Sequence, residues 1–544
     1  MSEQATGTSA LQGRKRWVAL VFIALGVAMI ILDATVVNVA LPQMIKDLGL
    51  TTNDAEWVNA AYSLVFASLL ILAGRLADRS GRRLLFVLGV VIFVGASVLV
   101  GLSDTSIEVI GARALQGVGA ALILPSSLSI INAVFVGRSR AIAFAVWGAT
   151  IGGMAALGPL VGGWLTTYAS WHWAFFINVP IGIIVLIGVL ALVPETREVG
   201  GASGIDVPGT ILSTLGLLGV VFALIEGQRY GWVVAVKPFA IGGWEWPVGV
   251  ISIVLVAAII GVASLIALIV VDSRRLAAGK VVILNFRLFR INSFGNGNLV
   301  ALVVSLGEFG LLFSLPLFLQ SVRGYDAMQT GVILLSLALG SFIASGAGAG
   351  MAQRMGPVRV LQLGMLLEAI GIVLLGLVIS TTVTGWMMAP GLFLYGAGVG
   401  FATAQLTGVI LSEVPVAESG QASAVQSTAR QVGAAIGTAI LGTTLIIGLG
   451  SGVQTSLEDR GVPAAAATQV ADAMSASAGQ AIPALAEQPN GQVLVEGASE
   501  GFVTATKWVA WVAAIFVTLG LLTSLRLPRN AARVESEGYA PPAE

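Results

Sequence analysis

The chain of 544 residues has no cysteine and a single histidine, His172. The first absence excludes a disulfide framework, a thiolate nucleophile and a cysteine metal site. The second removes the imidazole clusters on which triads and multi-histidine metal sites depend. Charge is also scarce, at 10% of residues against about 25% in a soluble domain. That is too little to cover a water-exposed surface of this size. The formal net charge is zero, so no nucleic-acid partner is implied. What the chain has instead is apolar side chains, 56% of the total.

These residues fall into runs long enough to cross a bilayer. They lie at 17–38, 57–76, 84–102, 107–133, 140–165, 173–193, 207–226, 248–271, 295–319, 328–350, 358–380, 386–412, 422–449 and 508–526. The expectation is an all-α polytopic membrane protein with fourteen transmembrane helices. The first run lacks a small-residue cleavage site and reads as a retained span. Basic residues cluster in alternate connections: Arg14, Lys15 and Arg16; Arg75, Arg79, Arg82 and Arg83; Arg138 and Arg140; Arg197; Arg274, Arg275, Lys280, Arg287 and Arg290; Arg354 and Arg359; Arg526, Arg529 and Arg533. The positive-inside rule puts these in the cytoplasm together with both termini, which requires an even number of spans.

A weak repeat divides the chain. GRLADRSGRR at 74–83 is echoed by GMAQRMGPVR at 350–359, and the glycine-rich run at 111–121 by that at 391–400. The division read from this is a cytoplasmic segment 1–16, an amino-terminal six-helix half 17–193 and two inserted helices within 207–271. A carboxy-terminal six-helix half 295–526 follows, then a cytoplasmic tail 527–544. The stretch 450–506, rich in Ala, Ser, Gly and Gln, reads as an outer loop with short helices near 464–474. Two related halves are how secondary transporters build a central site.

Charges inside spans are costly and mark candidate sites. Asp33 lies ~16 residues into the first span, ~24 Å from the inner face, and Arg113 is ~9 Å deep from the outer side. They reach similar depths and can pair, with Gln116 close by. The alternative is a structural ion pair that never changes protonation. Glu308, mid-span with no basic residue near it in sequence, is a candidate proton carrier or counter-ion for a cation. Glu368 is embedded too, with a structural bond the favoured reading, and Arg430 reads as a structural contact near the inner face.

The span at 147–164, WGATIGGMAALGPLVGGW, holds six glycines and one proline without a charge. In water these would break a helix, but hydrocarbon forces helical pairing of the backbone. Gly148, Gly152, Gly158, Gly162 and Gly163 then permit close helix approach, and Pro159 a local bend. This reads as a seam between moving parts. In the 74–83 loop, Gly74, Asp78, Arg79, Gly81, Arg82 and Arg83 read as a conformational latch or as plain positive-inside topology. Asn38, Tyr62, Trp147, Phe309 and Tyr395 are candidates to line an apolar cavity.

GRLADRSGRR at the second connection and ARALQGVGAALILP around Arg113 resemble signatures of the major facilitator superfamily. GGMAALGPLVGG resembles the fifth-span motif of its antiporters. LDATVVNVALP at 32–42 and WHWAFFINVPIG at 171–182 are similar to its fourteen-span drug:proton antiporter branch. His172 departs from the arginine usual between those tryptophans. The resemblance implies alternating access by two halves, with Asp33, Arg113 and Glu308 in proton and substrate coupling. It places Asp78 and its arginines at an inner gate, and Gly158 and Pro159 at the seam.

The function expected is proton-coupled export of amphipathic, cationic compounds across the bacterial inner membrane, by a monomer among lipids, with the proton gradient as energy source and no cofactor. The alternatives are export of one dedicated solute, and a receptor or scaffold that transports nothing. An enzyme is disfavoured for want of a nucleophile or metal constellation.

Overall fold

The computed structural model describes residues 13–50, 52–196, 206–241 and 244–528. The amino-terminal half contains α1 (Arg14–Leu48), α2 (Thr52–Ser80), α3 (Arg82–Gly101), α4 (Ser106–Val134), α5 (Gly137–Tyr168), and the short α6 (Trp173–Phe176) leading into α7 (Asn178–Leu192). The central pair is α8 (Val207–Tyr230) and α9 (Ile253–Ala277), joined through strands β1 (Phe239–Ile241) and β2 (Trp244–Trp246), which pair antiparallel with Phe239 opposite Trp246. The other half contains α10 (Asn292–Ser321), α11 (Ala327–Met355), α12 (Pro357–Val378), α13 (Gly385–Leu411), α14 (Ser419–Glu458), α15 (Ala464–Ala476) and α16 (Gly491–Ser524). Among the described residues, twelve helices are long and apolar enough to cross a membrane. Helices α5 and α10, of 32 and 30 residues, occupy the two remaining expected positions.

Local chemistry sets the helix ends. Thr105 and Glu108 form a capping box at the start of α4, and Asp326 and Gln329 form one at α11. Each box satisfies amides that would otherwise be orphaned. Gly49, at φ 61°, ends α1 in a left-handed turn that a side chain would strain. Leu88, Ile187, Ile259, Phe342, Ile447 and Ile515 remain exposed on the bundle's flanks. In a soluble protein this would be an aggregating surface; against lipid it is the proper solvent face.

The helix pairing of one half recurs in the other. In the first, α1 packs on α5 and α7, α4 on α2 and α3, and α3 on α7; in the second, α10 packs on α14 and α16, α13 on α11 and α12, and α12 on α16. The halves meet where α5 lies on α11 and α13 and where α14 lies on α2 and α4. Helix α8 packs on α2 and α14, while α9 packs mainly on α8. The α3–α4 contact depends on glycine: a Cβ on Gly119 would lie 2.7 Å from the Phe93 amide nitrogen and 2.8 Å from the Gly89 carbonyl oxygen. The related α12–α13 contact is equally close, with a Cβ on Gly364 falling 2.7 Å from the Ala402 nitrogen.

The structure corrects the 450–506 stretch, which is mostly helix. Helix α14 continues to Glu458 and α16 starts at Gly491, so only the segment between them, carrying α15, is a connection. Val453, Leu457, Leu494 and Phe502 supply the reason, since they are buried at the helical extensions' mutual contact. Residues 529–544 of the expected tail, Arg197, and the first twelve residues lie outside those described.

Gly119→Val would force backbone apart at the α3–α4 contact, and overpacking costs about 1–3 kcal/mol. Thermal unfolding in detergent should show a lower midpoint for this variant. Gly153→Ala, whose Cβ would meet nothing within 4 Å, should match the parent protein, and equal midpoints for all three would contradict the packing argument.

Candidate functional site

The amino-terminal half buries one ion pair. Asp33 of α1 and Arg113 of α4 are each 1% exposed and approach to 2.5 Å. Gln116, one turn after Arg113, donates to Asp33 Oδ1 at 3.0 Å and accepts from Arg113 at 2.8 Å. Asn178, at the start of α7, donates to the same Oδ1 at 2.9 Å. Arg113 Nε also donates to the Val58 carbonyl at 3.1 Å, and its guanidinium lies 4.4 Å from the centre of the Tyr62 ring. The pairing is direct, and both carboxylate oxygens are bonded. Asn178 lies within WHWAFFINVPIG, but nothing in the spacing of that motif ties it to Asp33. His172, in the same motif, stacks on Trp171 at 3.9 Å.

Glu308 is not part of that cluster. It is buried on α10 and pairs with Arg430 of α14 at 3.1 Å. The expected structural contact of Arg430 is thus the partner that Glu308 lacked in sequence. Tyr395 of α13 is buried and donates its hydroxyl to the Glu308 backbone carbonyl at 2.8 Å. Glu368 of α12 is fully buried nearby, in the electrostatic reach of Glu308, Arg430 and Tyr395. Trp147, 2% exposed, donates from Nε1 to Ser127 at 3.0 Å. The side chains of Asn38 and Phe309 lie outside the described residues.

The two halves are tied at the end that carries the 74–83 loop. Asp78 is fully buried there. Its Oδ1 accepts from Arg82 at 2.9 Å and from the Gly420 amide at 2.8 Å, and its Oδ2 accepts from the Gln421 amide at 3.0 Å. These amides open α14, so the carboxylate of one half caps a helix of the other, where the helix dipole favours negative charge. Gly74 leaves room for this: a Cβ there would strike Ala424 and the Gly420 carbonyl. Gly81, at φ 118°, turns the chain so that the Arg83 and Leu84 amides donate to Glu195, each at 3.0 Å. The Arg83 side chain reaches the Val193 carbonyl, and exposed Arg79 sits in the last turn of α2.

The connection after α9 joins the same end. Asp206 accepts from the Ile283 amide at 2.9 Å and pairs with Arg275 at 3.1 Å, while Asp272 accepts from the Leu284 amide. The neighbouring Asn285 donates to Glu418 and Gln421. No local pattern in the sequence foretold this link.

The glycines of α5 divide between two neighbours. A Cβ on Gly148 would meet Ala404 of α13 and one on Gly152 would meet Ser341 of α11, both across the junction of the halves. Gly158 and Gly162 instead face Thr35 and Val36 of α1, inside their own half. Gly163 is buried, and the side chain of Pro159 lies outside the described residues.

Two helix sets thus share one pairing pattern, and each holds a buried acid–arginine contact. The Major Facilitator Superfamily profile matches residues 23–235 and 210–438. The chain belongs to this superfamily. It is 36% identical over 437 residues to the puromycin resistance protein of Streptomyces alboniger, covering 79% of this chain and 82% of that one. It is 31% identical over 506 residues to the multidrug efflux pump LfrA of Mycolicibacterium smegmatis, covering 92% and 94%. The human organic anion transporter MFSD10 shares the fold, with a TM-score of 0.58 at 14% identity over 93% of this chain. This superfamily member is thus a multi-pass protein of the bacterial inner membrane, a secondary transporter and not an enzyme.

Hydrogen bonds to a charged group contribute about 1.5–3 kcal/mol each, so Asp78→Asn should weaken the tie between the superfamily member's halves. The absence of native cysteine permits a direct measurement. In a Ser423→Cys background, where position 423 is fully buried, a water-soluble maleimide should react about tenfold faster or more once Asp78→Asn is added. Equal labelling would mean that Asp78 does not hold this end shut.

Proposed function

We propose that the protein is a proton-coupled antiporter that exports amphipathic, cationic drugs or toxic compounds by alternating access. The observation that carries this reading is the pair of buried acid–arginine contacts, Asp33–Arg113 and Glu308–Arg430, one in each half. Desolvated ions are expensive. A carboxylate that leaves its arginine must take up a proton or face another cation, and that competition is the elementary step of exchange. Arginine keeps its charge throughout. The proton gradient supplies the energy without a cofactor.

In this reading fourteen helices span the membrane, with the basic connections and both termini on the cytoplasmic side. The halves 17–193 and 295–526 rock about the junction of α5 with α11 and α13, while the inserted helices within 207–271 flank it. Gly148 and Gly152 allow close sliding there, and Gly158 and Gly162 hold α5 against α1. Asp78 with Gly74, Arg79, Gly81, Arg82 and Arg83 forms the inner gate. Tyr62, Gln116, Trp147 and Tyr395 line the substrate path. The monomer, surrounded by lipid, is the working unit.

A second reading, export of one dedicated solute on the same fold, draws support from the puromycin resistance protein, whose name cites a single compound. Competition among several unrelated organic cations separates the two.

In proteoliposomes with an imposed pH gradient, uphill ethidium movement should occur and collapse on addition of a protonophore. Asp33→Asn should abolish exchange of a dicationic substrate, lowering its rate by more than about a hundredfold, because losing one buried charge contact costs about 3–5 kcal/mol. Normal exchange by that variant would remove Asp33 from the mechanism, and flux indifferent to the protonophore would remove the proton.

A further inference from the structure

The two buried clusters differ in charge count. In the amino-terminal half one carboxylate faces one guanidinium, and Gln116 and Asn178 complete the hydrogen bonding of Asp33. That cluster is neutral in charge and both Asp33 oxygens are bonded, although Asn178 Oδ1 and the Tyr62 hydroxyl beside it are buried without a partner. In the other half Glu308 pairs with the one guanidinium, Arg430, and a second carboxyl, Glu368, lies within their electrostatic reach. Arg430 bonds to Glu308 at 3.1 Å. Glu368 is fully buried, and neither of its oxygens has a hydrogen-bond partner.

An ionised carboxyl so placed would forfeit hydration with nothing in return, a cost far above that of the neutral acid. Its surroundings offer no relief. A Cβ on Gly398 of α13 would fall 2.6 Å from the Glu368 Cα, so the α12 backbone is pressed against α13 at this position. Tyr395, on the same helix, has already given its hydroxyl to the Glu308 backbone carbonyl. Among the described residues, the charged or titratable groups that act on Glu368 are Glu308 from α10, Arg430 from α14 and Tyr395 from α13; α11 and α16, which also pack on α12, supply none. Ser305, one turn before Glu308 on α10, likewise has a buried hydroxyl without a partner. Orphaned polar atoms of this kind mark a place that water or an ion visits.

We propose that Glu308, Glu368 and Arg430 form one proton-holding site in which two carboxyls share a single exchangeable proton, with an organic monocation as the ligand that displaces it. The proposal rests on the antiport reading above and locates its proton. In the resting site Glu308 is ionised, Arg430 is protonated and Glu368 carries the proton, so the charges cancel. When the O–H bond of Glu368 breaks, the proton passes to water. The site is then left with one uncompensated negative charge, which a bound monocation balances. One proton thus leaves for each monocation that enters, and the reverse step restores the neutral acid. The two carboxyls act on each other electrostatically, so the proton belongs to the pair.

Two measurements on the purified full-length protein test this, with ethidium as the probe. Infrared spectroscopy at neutral pH should show the carbonyl stretch of a buried neutral carboxyl in the parent protein. That band should be lost in Glu368→Gln, which mimics the neutral acid and should fold. It should also be lost in Glu308→Gln, where Glu368 ionises to take over Arg430. In weakly buffered solution, ethidium binding should release about one proton per molecule bound. Glu368→Gln should release none, and Glu368→Asp should restore release. An undiminished band or undiminished proton release in folded Glu368→Gln overturns the proposal. Parent protein that keeps the band yet neither binds nor moves ethidium would defeat the antiport reading while leaving the shared proton in place.

Discussion

A charge inside hydrocarbon has to find its opposite before it has any other use. This constraint organises the interior. Asp33 and Arg113 arrive from α1 and α4, Glu308 and Arg430 from α10 and α14, and Asp78 meets the dipole of a helix from the other half. Each contact joins elements far apart in sequence and fixes how deep and at what rotation the helices stand. Apolar burial holds helices together with little preference for register in a bilayer, because lipid tails are as apolar as leucine. The sparse polar contacts supply the register that packing alone leaves soft.

Glycine supplies what the charges require. The buried contacts form only if helices approach closely enough for short side chains to reach, and the α3–α4 and α12–α13 pairs do so over Gly119 and Gly364. The same residue type serves a different purpose on α5. There, glycines near one end touch the opposite half and those near the other end touch α1. One helix therefore belongs to both the rigid body and its bearing surface.

Much of this was legible in the sequence because hydrocarbon imposes simple rules. Runs of spanning length gave the helix positions, and depth arithmetic at 1.5 Å per residue brought Asp33 to the level of Arg113. The partner of Glu308 was not legible, and for Asp78 helix-terminal amides could be expected from the sequence but not the helix that supplies them. Arg430 stands 122 positions from Glu308, and the amides that bind Asp78 are backbone groups with no sequence signature. The helical extensions beyond 450 were missed for another reason. An Ala- and Gly-rich composition is neutral between loop and helix, and the burial of Leu457 and Phe502 that decides it is a tertiary event.

The repeat carries a further consequence. Matched helix pairings in the two halves show that the scaffold is shared, yet the charges are not. One cluster holds acid and base in equal number, with both oxygens of its acid bonded; the other holds a second carboxyl, Glu368, whose oxygens have no hydrogen-bond partner among the described residues. Breaking the Asp33–Arg113 contact exposes buried ions, so any change there has to be matched by a proton or another cation. An unsaturated cluster is poised, because its charge can change by one proton at little structural cost. The duplication thus provided two equivalent frames, and the unequal distribution of acids gave them unequal chemistry.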